Sequence, residues 1–169
     1  MRREKNSKNI IFRNLSIQDI PQLAILAQRA FQHGPDSYWA VVGAKRVQKT
    51  IVAEYMGCLI GAIEIEILKF NNEKHGHIGY IFVDPDFQRK GIGSKLLKLA
   101  ERWFSEKNVK YVWALTTPDN IAAQRFFLKH GYRTITKEDV FKLLGRKNAK
   151  RLLRRMVYWE GDIIFLKEL

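Results

Sequence analysis

The stretch Val83-Asp84-Pro85-Asp86-Phe87-Gln88-Arg89-Lys90-Gly91-Ile92-Gly93-Ser94-Lys95-Leu96-Leu97 restricts what this chain can fold into more than any other. An apolar run from Ile78 to Val83 reads as a strand, and Pro85 cuts it. A loop carrying two bases and two glycines follows. Leu96, Leu97, Ala100, Trp103 and Phe104 then recur at helical spacing. Strand, basic glycine loop and helix start together make an anion-binding device. The first-turn N–H groups of a helix have no intrahelical partner, and the helix dipole adds partial positive charge there. Such a device suits a pyrophosphate.

Two familiar nucleotide loops do not fit. No Gly-x-x-x-x-Gly-Lys-Ser/Thr pattern occurs, so a P-loop is excluded. The dinucleotide fingerprint needs a third glycine where this chain has Leu96. The spacing present is Gln88-x-x-Gly91-x-Gly93, just after an Asp-Pro-Asp turn that ends a strand.

The rest of the chain alternates strand and helix signals. Residues 1–9 form a polar, basic N-terminal arm, and 10–169 read as a single mixed α/β domain. Ile10 to Leu15 is a first strand. A first helix runs to Gln32, with Ser16 or Asp19 as its cap and Pro21 near its start. The segment from Asp36 to Val47 is ambiguous, with caps for a short helix. Thr50–Tyr55 and Cys58–Leu68 flank Met56-Gly57 as a hairpin. In the second of these strands Ile63, Ile65 and Ile67 face one way and Glu64 and Glu66 the other. Asn71 to Lys74 forms a turn, and His75 to Val83 is the strand that feeds the loop. Lys110–Thr117 is a fifth strand. Asn120 caps a helix that Gly131 closes, and Tyr132–Thr136 is a sixth strand. Glu138 to about Arg155 is a basic amphipathic segment that Gly145 can break. Val157–Trp159 and Ile163–Leu166 give a last strand, bent or broken near Gly161. Trp103, Trp113, Phe126 and Phe165 occupy periodic apolar positions and read as core.

Several function classes fall away on composition. The single cysteine, Cys58, excludes an intrachain disulfide and a cysteine-based zinc cluster, and no metal site is expected. The longest apolar runs are far shorter than the roughly 20 residues a membrane span needs, and no signal-peptide core follows Met1. A cytoplasmic protein is expected. Net charge is unusual: 30 Lys and Arg against 17 Asp and Glu leave +13, enough to draw polyanions from a distance. A charged surface without a partner would give the same total.

The stretch VDPDFQRKGIGSKLL, followed by Asn120-Ile121-Ala122-Ala123-Gln124-Arg125-Phe126-Phe127-Leu128-Lys129-His130-Gly131-Tyr132, resembles the two motifs of the GNAT acetyltransferase superfamily, and the order of elements is also its order. The resemblance covers about Ile10 to Leu166, the long basic insertion before the last strand being a departure. It implies an α/β GNAT fold, with a central, mostly antiparallel sheet of about seven strands flanked by helices. It implies acetyl-CoA as cofactor. Main-chain groups near Ile81 and Val83 would pair with the pantetheine arm like an extra strand. Gln88 and the N–H groups of Arg89, Lys90, Gly91, Ile92, Gly93 and Ser94 would hold the pyrophosphate, the Arg89 and Lys90 side chains adding charge. Asn120 would lie near the cofactor arm, or serve only as a helix cap.

The reaction that resemblance implies is direct transfer of acetyl from the CoA sulfur to a primary amine. Its usual acid, a tyrosine after the aromatic at Phe126, is replaced here by Phe127, which cannot donate a proton. Tyr80, Tyr132 and Tyr158 are the other phenols to weigh. His77, eleven residues before Gln88, lies in the strand region where some family members carry a catalytic glutamate. An imidazole titrates near about 6.5, which suits base work, though a histidine there can equally be packing. Glu64 and Glu66 could act through water or bind a cationic amine, or form a solvated sheet face. A protein or peptide amine is the leading acceptor, with a polyamine-like or antibiotic amine next. The alternative is a binding module with weak or no catalysis, docking on RNA or ribosome. Its contact would be the basic segment with Lys142, Arg146, Lys147, Lys150, Arg151, Arg154 and Arg155.

Overall fold

The computed structural model describes residues 9–169; residues 1–8 of the N-terminal arm (1–9) lie outside the described residues. Seven strands and five helices follow in the order β1 (Ile10–Asn14), α1 (Ile20–Ala30), α2 (Asp36–Ala44), β2 (Lys49–Tyr55), β3 (Cys58–Phe70), β4 (Glu73–Val83), α3 (Ile92–Glu106), β5 (Tyr111–Thr116), α4 (Ile121–Lys129), β6 (Arg133–Ile135), α5 (Lys137–Arg155) and β7 (Ile163–Glu168). The strands form one sheet of order β1-β2-β3-β4-β5-β7-β6. The pairs β1–β2, β2–β3, β5–β7 and β6–β7 are antiparallel, and β4–β5 is parallel.

Two tight turns set the register of the central strands. Met56 and Gly57 between β2 and β3 both have positive φ (50° and 78°), as do Asn71 and Asn72 between β3 and β4 (50° and 64°). Two successive left-handed residues are the signature of a type I′ turn, whose twist matches that of the strands it joins. A register shift between Ala53 and Glu54 interrupts the β2–β3 ladder.

The chain divides into two compact units: residues up to Ile65 with Tyr80–Ala100, and Glu66–Gly79 with Glu101–Leu169. In the first, Leu23, Leu26 and Ala27 of α1 and Ala40 of α2 pack with Val52, Leu59, Ala62 and Phe82. Each fully buried leucine contributes roughly 1.5–3 kcal/mol. Ser16 and Asp19 both stand at helix starts, but the Asp19 side chain makes no cap bond to α1. Ser16 opens a 3-10 turn over Ile17–Asp19, and Asp19 precedes α1 with Pro21 in its first turn. The Asp19 carboxylate accepts from Ser16 N–H at 2.7 Å and from Arg13 at 2.6 and 2.9 Å. The ambiguous segment after Pro35 is the helix α2.

In the second unit, Val140, Leu144, Ala149, Leu152, Leu153 and Met156 from α5 and its end pack on Phe70, Trp113, Ile164 and Leu166. Thr136 caps α5 by accepting from Asp139 N–H at 3.1 Å, and Gly145 (φ 74°, ψ 162°) breaks it into two segments. On the other side of Gly76 the ring of Phe104 lies so close that a Cβ there would meet it at 2.8 Å.

Two expectations need correction. Val157–Trp159 is not strand, because its backbone closes α5. Val157 N–H donates to Arg154 C=O at 3.1 Å and Tyr158 N–H to Leu153 C=O at 2.9 Å, which is a Schellman cap. Of the four aromatics assigned to the core, Trp113 and Phe165 are fully buried, whereas Trp103 and Phe126 are half-buried at helix margins.

Candidate active site

The loop after β4 is held by its own acids. Asp84 accepts from Asp86 N–H at 2.9 Å and closes the 3-10 turn Pro85–Phe87. Arg29 of α1 grips Asp84 at 2.6 and 3.1 Å and reaches Asp86 at 3.0 Å. Lys90 folds back, donating to Asp86 C=O at 3.1 Å with its ammonium 5.3 Å from the centre of the Phe87 ring. Arg89 is left-handed at φ 60° and Gly91 at φ 79°. Gly91 C=O accepts from Lys95 N–H, which starts α3 there. No atom stands within 4 Å of where a Gly91 side chain would begin. Arg89 is exposed and has no partner among the described residues. Left-handed turns beside a helix start aim successive N–H groups at one point. A diphosphate therefore fits this loop: space, backbone donors and an uncompensated guanidinium are all present.

The edge of β4 leading into the loop has a defined parity. Asp84 N–H donates to Ile60 C=O on β3, so Phe82 and Asp84 turn their main-chain groups toward β3. Ile81 and Val83 consequently turn theirs the other way. The Val83 carbonyl is met by the Gln88 side-chain amide at 3.1 Å. Pairing of β4 with β5 spans His75–His77 against Tyr111–Trp113.

Glu64 and Glu66 are not a solvated face. Glu64 is 1% exposed and Glu66 7%. Neither carboxylate oxygen of Glu64 has a hydrogen-bond partner, and Oε2 lies over Gly43 of α2, in the space a Cβ would need. Burial pushes its pKa up to about 9, so it holds a proton at neutral pH. Tyr80 donates to Asp36 at 3.0 Å, and burial together with that carboxylate raises its hydroxyl far above the ordinary tyrosine range. Tyr132 is 3% exposed and raised in the same direction by burial. Both are poor proton donors.

In the second unit the structure brings His77 and Glu66 together and adds Arg155. His77 Nδ1 is 2.8 Å from Glu66 Oε1, and Arg155 donates through Nε and Nη2 to Oε1 and Oε2 at 2.6 and 2.7 Å. Burial pulls the Glu66 pKa up, but the bonds and charges of His77 and Arg155 prevail and hold it at about 2. An ionised carboxylate can only accept, so His77 carries a hydrogen on Nδ1 and donates it to Glu66. His75 differs: its Nδ1 accepts from Trp113 Nε1 at 3.0 Å, and burial lowers its pKa, which marks a packing histidine.

Asn120 is exposed and caps α4, its Oδ1 accepting from Ala123 N–H at 3.1 Å. Phe127 is buried, stacked on Phe165 at 5.1 Å and edge-on to Tyr132 at 5.2 Å. Arg155 is the residue that sequence reasoning assigned to the basic surface. It lies 89 positions from Glu66, and no local pattern marks it as the base of its segment that reaches that carboxylate. Among the described residues, no helix is long and apolar enough to cross a membrane.

A family model described as "Acetyltransferase (GNAT) family" matches residues 18–132. An N-acetyltransferase of Escherichia coli, YafP, is 29% identical over 140 residues, covering 78% of this chain and 87% of that protein. YxbD of Bacillus subtilis is 40% identical over 76 residues, and the matched part is 40% of this chain and 48% of the relative, about half its length. The fold is similar to that of the PaiA N-acetyltransferase from Thermoplasma acidophilum in complex with coenzyme A. That likeness has a TM-score of 0.70 and 19% identity, and covers 95% of this chain and 99% of that one.

Proposed function

Because the chain belongs to the acetyltransferase (GNAT) family, we propose that it transfers acetyl from acetyl-CoA directly to a primary amine of a protein or peptide, in the cytoplasm. The loop from Gln88 to Ser94 would hold the pyrophosphate through backbone N–H groups and Arg89, and the outward main-chain groups of Ile81 and Val83 would bind the pantetheine arm. Asn120 would steady that arm from the start of α4. When bound, acetyl-CoA supplies an acetyl thioester whose thiol, near pKa about 8.5, leaves without a strong acid.

His77 takes the proton of the incoming ammonium on Nε2. Glu66 orients the ring through Nδ1 and stabilises the imidazolium that forms, and Arg155 keeps Glu66 ionised. Base assistance of this kind contributes about 10²–10⁴-fold. Glu64, neutral at pH 7, keeps water and charge out of the space under α2 and acts as a reserve proton carrier.

The observation that carries this reading is the state of the two glutamates. Glu66 is paired with Arg155 and bonded to His77, and Glu64 is buried without a partner and holds a proton. Neither offers net negative charge to a free polyamine, and a chain of +13 repels one. The test is thiol release from acetyl-CoA with three amines: a peptide with a free N-terminus, an N-blocked lysine peptide, and spermidine. Turnover is expected on a peptide amine and to fall by about 10²–10⁴-fold in His77→Gln. Turnover on spermidine alone would sink the acceptor class; an unchanged rate in His77→Gln would sink the base.

A further inference from the structure

Three helices of this chain end in the same hydrogen-bonded cap. After α3, Asn108 N–H donates to Ser105 C=O and Val109 N–H to Phe104 C=O; after α4, Gly131 and Tyr132 do the same to Leu128 and Phe127; after α5, Val157 and Tyr158 do so to Arg154 and Leu153. The cap requires a left-handed residue at its first position, and Asn108 (φ 57°) and Gly131 (φ 84°) are the residue types that accept it. Val157 sits there at φ 56°, with a β-branched side chain that strains this backbone, and it is 66% exposed. Strain of this kind persists where the side chain has work to do.

The surroundings of Val157 say what that work is. With Leu68 and Phe70 of β3 and Arg151, Arg154 and Arg155 of α5 it lines an open groove of about 430 Å³, the size of a small-ligand site. The floor is apolar and the rim is three guanidinium groups. Arg155 is committed to Glu66, and Arg151 lies over the Phe70 ring at 5.3 Å with one weak bond to Asn148 at 3.4 Å. Arg154 is exposed and has no acidic partner among the described residues. Uncompensated arginines beside aliphatic surface suit a ligand that carries carboxylates and aliphatic side chains together, since guanidinium forks match carboxylates in pairs. A nucleic acid seated in the groove would need an aromatic face to stack on, but the aromatic that lines it, Phe70, is 3% exposed; Trp159, 74% exposed, is not among the lining residues.

We propose that this groove binds an acidic, aliphatic-bearing peptide segment of a protein partner, with Val157 and Leu68 against its aliphatic side chains and Arg154 and Arg151 on its carboxylates. Binding is read by calorimetric titration of the full chain, without turnover, so it stands or falls apart from the acetyl-transfer reading. The probe is an N-acetylated peptide of alternating glutamate and leucine; its glutamine counterpart and an oligouridylate are the comparisons.

The acidic peptide is expected to bind at least about tenfold more tightly than the glutamine peptide, with affinity falling as salt rises. Arg154→Glu should abolish the preference and Arg154→Gln weaken it, while Lys98→Glu, the same charge change on exposed α3 surface, leaves it intact. Val157→Gly separates packing from fold. It relieves the strained cap, so the melting temperature should rise by a few degrees, roughly, while peptide affinity falls. No peptide binding, equal weakening by Lys98→Glu, or tighter Arg154-dependent binding of the oligouridylate would each overturn the proposal.

Discussion

Glu64 and Glu66 stand two residues apart on β3, both buried, and end in opposite protonation states. Under α2, Glu64 lies against Gly43 with no hydrogen-bond partner on either carboxyl oxygen, and burial sets its pKa near 9. Glu66 meets a histidine and an arginine, and stays ionised down to about pH 2 although burial opposes it. The difference teaches that burial does not decide the charge of a carboxyl; the number of donors within reach decides it. A protein can thus place a proton-holding and a proton-orienting carboxyl on one strand by changing what covers each.

Removing the donor that separates the two breaks the comparison most directly. Arg155→Met keeps the apolar stem but leaves Glu66 with His77 alone; the Arg155 side chain is 42% exposed, so water shares the charge and the loss should cost roughly 1–2 kcal/mol. A urea midpoint unchanged from wild type would contradict this. The stability Glu66 contributes is present above its unfolded pKa, near 4.5, and is lost as pH falls toward about 2. The variant should lose part of that acid-side slope, because His77 still bonds Glu66.

Glu64 predicts a slope of the other sign. Its folded pKa is raised, so its stabilising proton is fully held below about 4.5 and is lost progressively up to about 9. Over that window the group lowers stability by at most about 1.4 kcal/mol per pH unit. Glu64→Gln should therefore match wild type near pH 5 and exceed it near pH 9 in thermal melts. Parallel pH profiles for the two proteins would show that Glu64 is ionised after all. Gly43→Ala is the smallest perturbation. Its methyl group claims the space of Glu64 Oε2 and should cost about 1–3 kcal/mol by overpacking. Combined with Glu64→Ala the cost should shrink, because the clash goes with the carboxylate.

The sequence carried the scaffold of this comparison better than its chemistry. Periodicity and punctuation found the hairpin at Met56-Gly57, a turn opening at Asn71 (two residues longer than the one formed, since Glu73 and Lys74 join β4), the helix that Asn120 caps, and the break at Gly145, because each rests on local backbone rules. The alternation of Ile63, Glu64, Ile65 and Glu66 read as one wet and one dry face. It misled because β3 lies inside a seven-stranded sheet, where both faces of the strand are covered. Arg155 looked like one more base among seven, since helical spacing says which side a residue occupies but not that Glu66 waits there. Val157 to Trp159 had strand composition, yet its main chain was already needed to end a helix.

The two type I′ turns also have a consequence in time. They join β2, β3 and β4 through loops of two residues each, so these strands meet at almost no cost in loop closure. Hairpins form in about 1–10 μs, whereas β6 and β7 are separated by all of α5 and must wait for it to fold back. The three-strand meander is therefore expected to pair before β6 joins β7. The strand that carries both glutamates is its middle member, so it takes its place before the helix that later supplies Arg155.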